Sequence, residues 1–328
     1  MSADPIRRIA DAVLYEGYVL WPYRKSAMKN QQRWTFGGVF PEAYSEQRGG
    51  DDPAEMRSQV LLRGDERTAL DVSVRFLHVV RRQALRDGLR VEELEAGGER
   101  HVSWDEATER ELSGRWTLAE LLESPRRIEI DIPADSTREE LDGGAVERGW
   151  QALRGTIDVE AQAVGAGVHR VAVFIRNVTP WHGAPREETL RQAFCSTHAV
   201  LRAEGGELVS LTDPPEELRV QAEACENVGN WPVLVGQEPD RSTVLCSPII
   251  LSDYPQIAPE SPGDFFDGGE IDEMLVLNIL TLTDDEKREM RESDPRTRAI
   301  LERTEAMSEE QLMKLHGAVR EFGLVRRS

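Results

Sequence analysis

Ile157-Asp-Val-Glu-Ala-Gln-Ala-Val164, then Gly165-Ala-Gly167, then Val168-His-Arg-Val171-Ala-Val-Phe-Ile175 is the passage from which the architecture is read. In its first half Ile157, Val159, Ala161 and Ala163 alternate with Asp158, Glu160 and Gln162. A period of two puts one set of side chains on each face of a strand and marks it as half-buried. Val171, Val173 and Ile175 run back after the glycine turn, which predicts an antiparallel hairpin. The same alternation occurs upstream, in Leu70, Val72, Val74 and Phe76 against Asp71, Ser73 and Arg75, and in Ile128, Ile130 and Ile132 against Glu129 and Asp131. Downstream, residues 198–202 and 207–211 read as a second hairpin through Gly205-Gly206, and 244–251 as a buried strand. Repeated hairpins without intervening helices predict an α+β, mainly β class. The expected body is an antiparallel β-sandwich or barrel-like fold rather than a doubly wound sheet.

The rest of the chain is organised around that body. Asp4-Pro5 reads as a helix start, with Ile6, Ile9, Val13 and Leu14 at helical spacing and Gly17 and Pro22 ending it. Residues 83–125 read as a charged, irregular insertion, with a hairpin at Gly97-Gly98 and a short helix over 118–122. The predicted division is a mainly β body over 1–260 and an acidic, largely helical segment over 261–328, with the helical pattern clearest over 284–322.

Composition narrows the function classes. Sixty acidic against 40 basic residues give a net charge of −20, which repels nucleic acid and anionic membrane surfaces. No run approaches the roughly 20 apolar residues of a membrane-spanning helix. The first residues lead into a charged helix rather than the apolar core of a signal peptide. Three cysteines fit reduced thiols in a cytosol. The expectation is a soluble, cytoplasmic protein.

Two segments stand apart. Residues 21–40 hold Trp21, Tyr23, Trp34, Phe36 and Phe40 with Arg24, Lys25, Lys29 and Arg33, and no acidic residue. Arginine and aromatic side chains are common interface anchors, so Arg24, Lys29, Asn30, Arg33 and Trp34 are candidates for binding a partner or an anionic ligand. The competing reading is internal, with the bases paired to the chain's own acids and the aromatics in its core. Residues 253–273 carry seven carboxylates among prolines and glycines. Asp253, Glu260, Asp264 and Asp267 are candidate oxygen ligands for a divalent metal such as Mg²⁺ or Ca²⁺. Their spacing is not that of an EF-hand, and Asp267 with Glu270 has the spacing of a capping box. Between residues 252 and 310 the net charge is −11, more than half of the chain's −20. That acid reads as helix punctuation and as a docking surface.

Cys195, His198, Cys225 and Cys246 are the residue types of a Cys₃His zinc set, without the CxxC spacing that makes such sets specific. His182, after Pro180-Trp181, sits in a turn-like stretch. P-loop, dinucleotide, HExxH and GxSxG patterns are absent.

Leu14-Tyr-Glu-Gly-Tyr-Val-Leu-Trp-Pro-Tyr-Arg24, continuing to Lys29-Asn30 and Arg33-Trp-Thr-Phe-Gly37, resembles the N-terminal part of a family associated with [NiFe]-hydrogenase gene clusters. That family is uncharacterised and mainly actinobacterial. Ser247-Pro-Ile-Ile250, with 253–260 and Glu270-Ile-Asp-Glu273, resembles its C-terminal part. The resemblance implies a setting, hydrogenase assembly or support, and no reaction or catalytic residue. The leading expectation is a non-enzymatic accessory protein that binds a protein partner, a hydrogenase subunit or maturation factor. The alternatives are a metal-dependent hydrolase using the 253–273 carboxylates and a nickel- or zinc-handling protein using the cysteines and His198.

Overall fold

The structure, a computed structural model, describes residues 5–16, 36–50 and 52–255, and then Lys287, Arg288, Arg291, Arg298, Leu301, Glu302 and Glu305. The chain divides into two compact units, Met1–Pro255 and Gln256–Ser328. In the second unit the described residues are helical, and Glu305 accepts hydrogen bonds from Arg291 at 2.7 and 3.0 Å.

The frame of the first unit is β1 (Glu55–Arg86), a strand of 32 residues. It stays a strand because its neighbours change along it. On one edge it pairs with β10 (Val168–Asn177) over 55–63, with β5 (Trp104–Thr117) over 69–82 and with β2 (Leu89–Val91) over 84–86. On the other it pairs with β11 (Cys195–Val209) over 61–77 and with β8 (Gly144–Trp150) over 81–85. All these pairings are antiparallel.

β1 bends at a bulge. Gly64 faces Gly206 and Ala69 faces Glu204, so residues 65–68 stand against Gly205 alone. The Thr68 hydroxyl donates to the Gly205 carbonyl at 3.0 Å and accepts the Asp65 N–H at 3.1 Å, which closes the extra loop. Bulges of this kind increase twist and fold a sheet over on itself. Val60 and Leu62 before the bend, and Leu70, Val72, Val74 and Phe76 after it, therefore face one common core.

The predicted hairpin is present, as β9 (Leu153–Gly165) against β10, with Ile157 opposite Ile175 and Val159 opposite Val173. β6 (Arg126–Ile132) flanks β9. Beyond β11 lie β13 (Thr243–Ser247) and β12 (Trp231–Leu234). β7 (Asp135–Leu141) pairs with β8, while β3 (Glu93–Ala96) and β4 (Glu99–Val102) form a separate hairpin around Gly97-Gly98. Among the described residues the main path, β12-β13-β11-β1-β10-β9-β6, ends at each side on a strand paired along one edge, so the sheet does not close into a barrel. Folded over its core it makes a β-sandwich-like body. Ile157, Val171 and Ile175 of one layer meet Val72, Leu201 and Val244 of the other.

Two expectations need correction. The 83–125 stretch holds the hairpin and a helix, α3 (Leu118–Glu123), but 104–117 is the regular strand β5. Its alternation was hidden because Arg110 lies on the inner face, opposite Phe76. Gly205-Gly206 is no hairpin turn, and β11 runs through it while both halves pair with β1. The glycines are there for close approach. A Cβ on Gly206 would lie 2.7 Å from the Arg63 carbonyl oxygen, and Gly205 has φ +80 opposite the bulge.

α1 (Pro5–Glu16) packs Ile6, Ile9, Ala10 and Val13 on the outer faces of β11, β13 and β12, against Val200, Leu245 and Val233. β13 is thus covered on both faces, which explains its unbroken apolar run. A second irregularity in β11 anchors the helix. Arg75 faces His198 but Leu77 faces Cys195, and between them Ser196, at φ +53, donates its hydroxyl to the Val13 carbonyl at 3.2 Å. Among the described residues no helix is long and apolar enough to cross a membrane.

Candidate functional site

α1 leaves part of the β5-β1-β11 outer face uncovered, and the gap is an open groove of about 660 Å³. Residues paired across strands share a face, so the register gives its floor as three rows. Arg115, Asp71 and Arg202 form the first, Ser113, Ser73 and Val200 the second, and Glu111 and Arg75 the third, with the buried His198 next to Arg75 outside the groove. Ile6, Arg7 and Ala10 of α1 form the wall.

Charged groups of this lining pair with ions in the groove and beside it. Arg75, with its side chain 4% exposed, donates to Asp11 and Glu109 at 2.5 Å each. Burial disfavours its charge, but those two bonds outweigh the penalty and hold the guanidinium above its ordinary pKa. Arg7 lies 3.5 Å from both Glu109 and Glu111. The Ser73 hydroxyl donates to Glu111 at 2.9 Å. Arg115 donates to Glu204 and, at 2.8 Å, to Asp71, and its bond and charge hold the Glu204 carboxyl below the usual range. His198 is wholly buried. Burial first, and Arg75 second, push its pKa down to about 3, so its Nδ1 faces the Ser196 carbonyl at 3.3 Å on a neutral ring.

Of the residues singled out by sequence, Arg24, Lys29, Asn30, Arg33, Trp34, Glu260, Asp264 and Asp267 lie outside the described residues. Asp253 is described, and both its oxygens are in use. Oδ2 accepts from the Ser210 and Thr212 hydroxyls at 2.5 and 2.8 Å, and Oδ1 from the Leu234 N–H at 2.8 Å. It ties the stretch after β13 to β12. Phe40, at the end of the aromatic segment, is buried, stacked on Tyr44 at 5.5 Å and covered by the Arg186 guanidinium at 5.3 Å. Phe36 is half exposed.

The cysteine–histidine set is not brought together. Cys246 lies in the main core opposite Ala199, Cys225 packs in a separate cluster with Leu218 and Ala222, and His198 is paired with Arg75. Burial pushes the Cys246 thiol up to about 12. Among the described residues, no three His, Cys, Asp or Glu side chains are grouped so as to hold a metal ion. The groove residues were passed over because the polar half of an alternating strand reads as a solvated face. The available signal was Arg75 beside an apolar run, since a buried arginine demands partners.

These features define a mainly β protein with an open, charge-paired groove under its first helix. No protein-family model matches the chain, and no curated protein matches it.

Proposed function

We propose that the protein is a non-enzymatic accessory protein that docks a protein partner in this groove, in the maturation or support of a [NiFe] hydrogenase. The observation that supports docking is the lining of the groove. Arg75 is held above its ordinary pKa by Asp11 and Glu109, and Arg7, Arg115, Asp71 and Glu111 stand in ion pairs open to solvent. Acid–base catalysis instead calls for a group tuned towards neutrality. Exposed pairs such as Arg115 with Glu204 exchange partners at little cost, so a complementary surface is recognised through charge. The hydrogenase setting rests on the resemblance of residues 14–37 and 247–273 alone, and the proposed location, the cytoplasm, rests on three free cysteines.

The test is co-purification of the tagged protein from cells expressing the hydrogenase. A hydrogenase subunit or maturation factor is expected in the eluate. Recovery of neither overturns the setting. The metal-dependent hydrolase alternative is checked on the same preparation. The docking reading predicts a melting temperature unchanged by Mg²⁺, Mn²⁺ or Ca²⁺, whereas a rise with one of them supports the metal reading.

A further inference from the structure

Along β1 the groove floor changes character. At one end Asp71 lies between Arg115 and Arg202, two residues on Ser73 lies between Ser113 and Val200, and two further on Arg75 lies beside Glu111. Arg75 is spent on Asp11 and Glu109 below the surface. Among the described residues, three carboxylates, Asp11, Glu109 and Glu111, share Arg75 and Arg7, so acids outnumber bases at this end. Its groove-facing members, Glu111 at 38% and Arg7 at 57% side-chain exposure, are accessible and loosely matched at 3.5 Å. The opposite end offers Arg115, 53% exposed and held only by exposed carboxylates. The two ends are four residues apart on both β1 and β5, roughly 13 Å at the rise of a strand.

We propose that the groove recognises an extended segment of the partner in which a carboxylate side chain and a basic side chain stand four residues apart with a small residue midway. In an extended chain residues i and i+4 project to the same side at this spacing. On a helix the same pair stands only about 5–6 Å apart and cannot reach both ends. The partner's carboxylate meets Arg115 and Arg202, its basic group meets Glu111, and its small residue lies over Ser73 and Ser113. This inference rests on the groove being the docking site and does not depend on the hydrogenase setting.

The probe is a capped, fluorescently labelled nine-residue peptide with glutamate and lysine four positions apart and serine midway, titrated with the full chain. It is expected to bind about tenfold tighter than a version with both charges replaced by glutamine, or one with the charges two positions apart. Raising salt from about 50 to about 500 mM weakens the binding. Ser113→Trp, which fills the floor from an exposed position, abolishes it while leaving the melting temperature unchanged, and Glu111→Gln weakens it. Equal affinity for the re-spaced peptide, or full binding by Ser113→Trp, overturns the inference. Peptide binding without recovery of a hydrogenase component removes only the setting. Recovery of such a component undiminished by Ser113→Trp removes the groove instead.

Discussion

Arg75 and His198 face each other across β1 and β11, and each is explained by the other's surroundings. A guanidinium with 4% of its side chain exposed persists because Asp11 and Glu109 bind it, and its charge helps keep His198 neutral. Arg75→Ala removes the shared partner of carboxylates on α1 and β5. It is expected to lower stability by about 2–3 kcal/mol, below the full cost of breaking a buried pair because Asp11 and Glu109 are partly exposed. Urea unfolding checks this, and a loss within about 0.5 kcal/mol, the usual range for a surface substitution, contradicts it. The histidines also set a pH dependence. Burial and neighbouring arginines hold His78 at about 4 and His198 at about 3, against 6.5 for the free side chain. Their folded values are depressed, so the unfolded chain binds more protons. Stability is complete above pH 6.5 and falls as pH drops towards these values. Each contributes roughly 1.4 kcal/mol per pH unit in that window. Denaturant unfolding from pH 7 to pH 5 measures the slope, and His198→Gln is expected to halve it. Single residues were the least legible part of the sequence. Asp253 has the type and position of a metal ligand, but its oxygens bind two hydroxyls and an amide that only the folded chain supplies.

Elements were legible where alternation was clean. The β9–β10 hairpin, the core half of β1 and the helix at 118–123 follow from period and punctuation. What was lost is continuity. The 32 residues of β1 are interrupted by Gly64 to Thr68, whose polar pattern resembles a turn although the strand resumes after its bulge. β5 and β11 were misread for related reasons. In β5 an arginine occupies an inward position, and in β11 a glycine pair serves close approach rather than reversal. Gly206→Ala tests the latter directly. With the Arg63 oxygen 2.7 Å from the new Cβ, the substitution is expected to cost about 1–3 kcal/mol. At an exposed hairpin turn it would cost far less, so a midpoint near that of the parent protein contradicts the continuous strand.

At the scale of the whole chain, the net charge of −20 divides into parts of different kinds. Over half lies in residues 252–310, whereas the groove balances its carboxylates almost fully with arginines. Gly37 and Pro248 lie side by side in the body. Gly37, at φ +60, has its Cβ position 2.5 Å from the Pro248 side chain and gives its carbonyl to the Thr197 N–H. The groove stayed hidden because its rows are assembled from residues 71–75, 111–115 and 200–202, which only the strand register brings together. The central proposal is that a hydrogenase component docks in that groove. Its most direct test is quantitative co-purification of hydrogenase subunits and maturation factors with the wild-type chain and with Ser113→Trp, at matched melting temperature. A component recovered with the wild type and lost with the variant is the predicted result. Equal recovery with both, or none with the wild type, contradicts it.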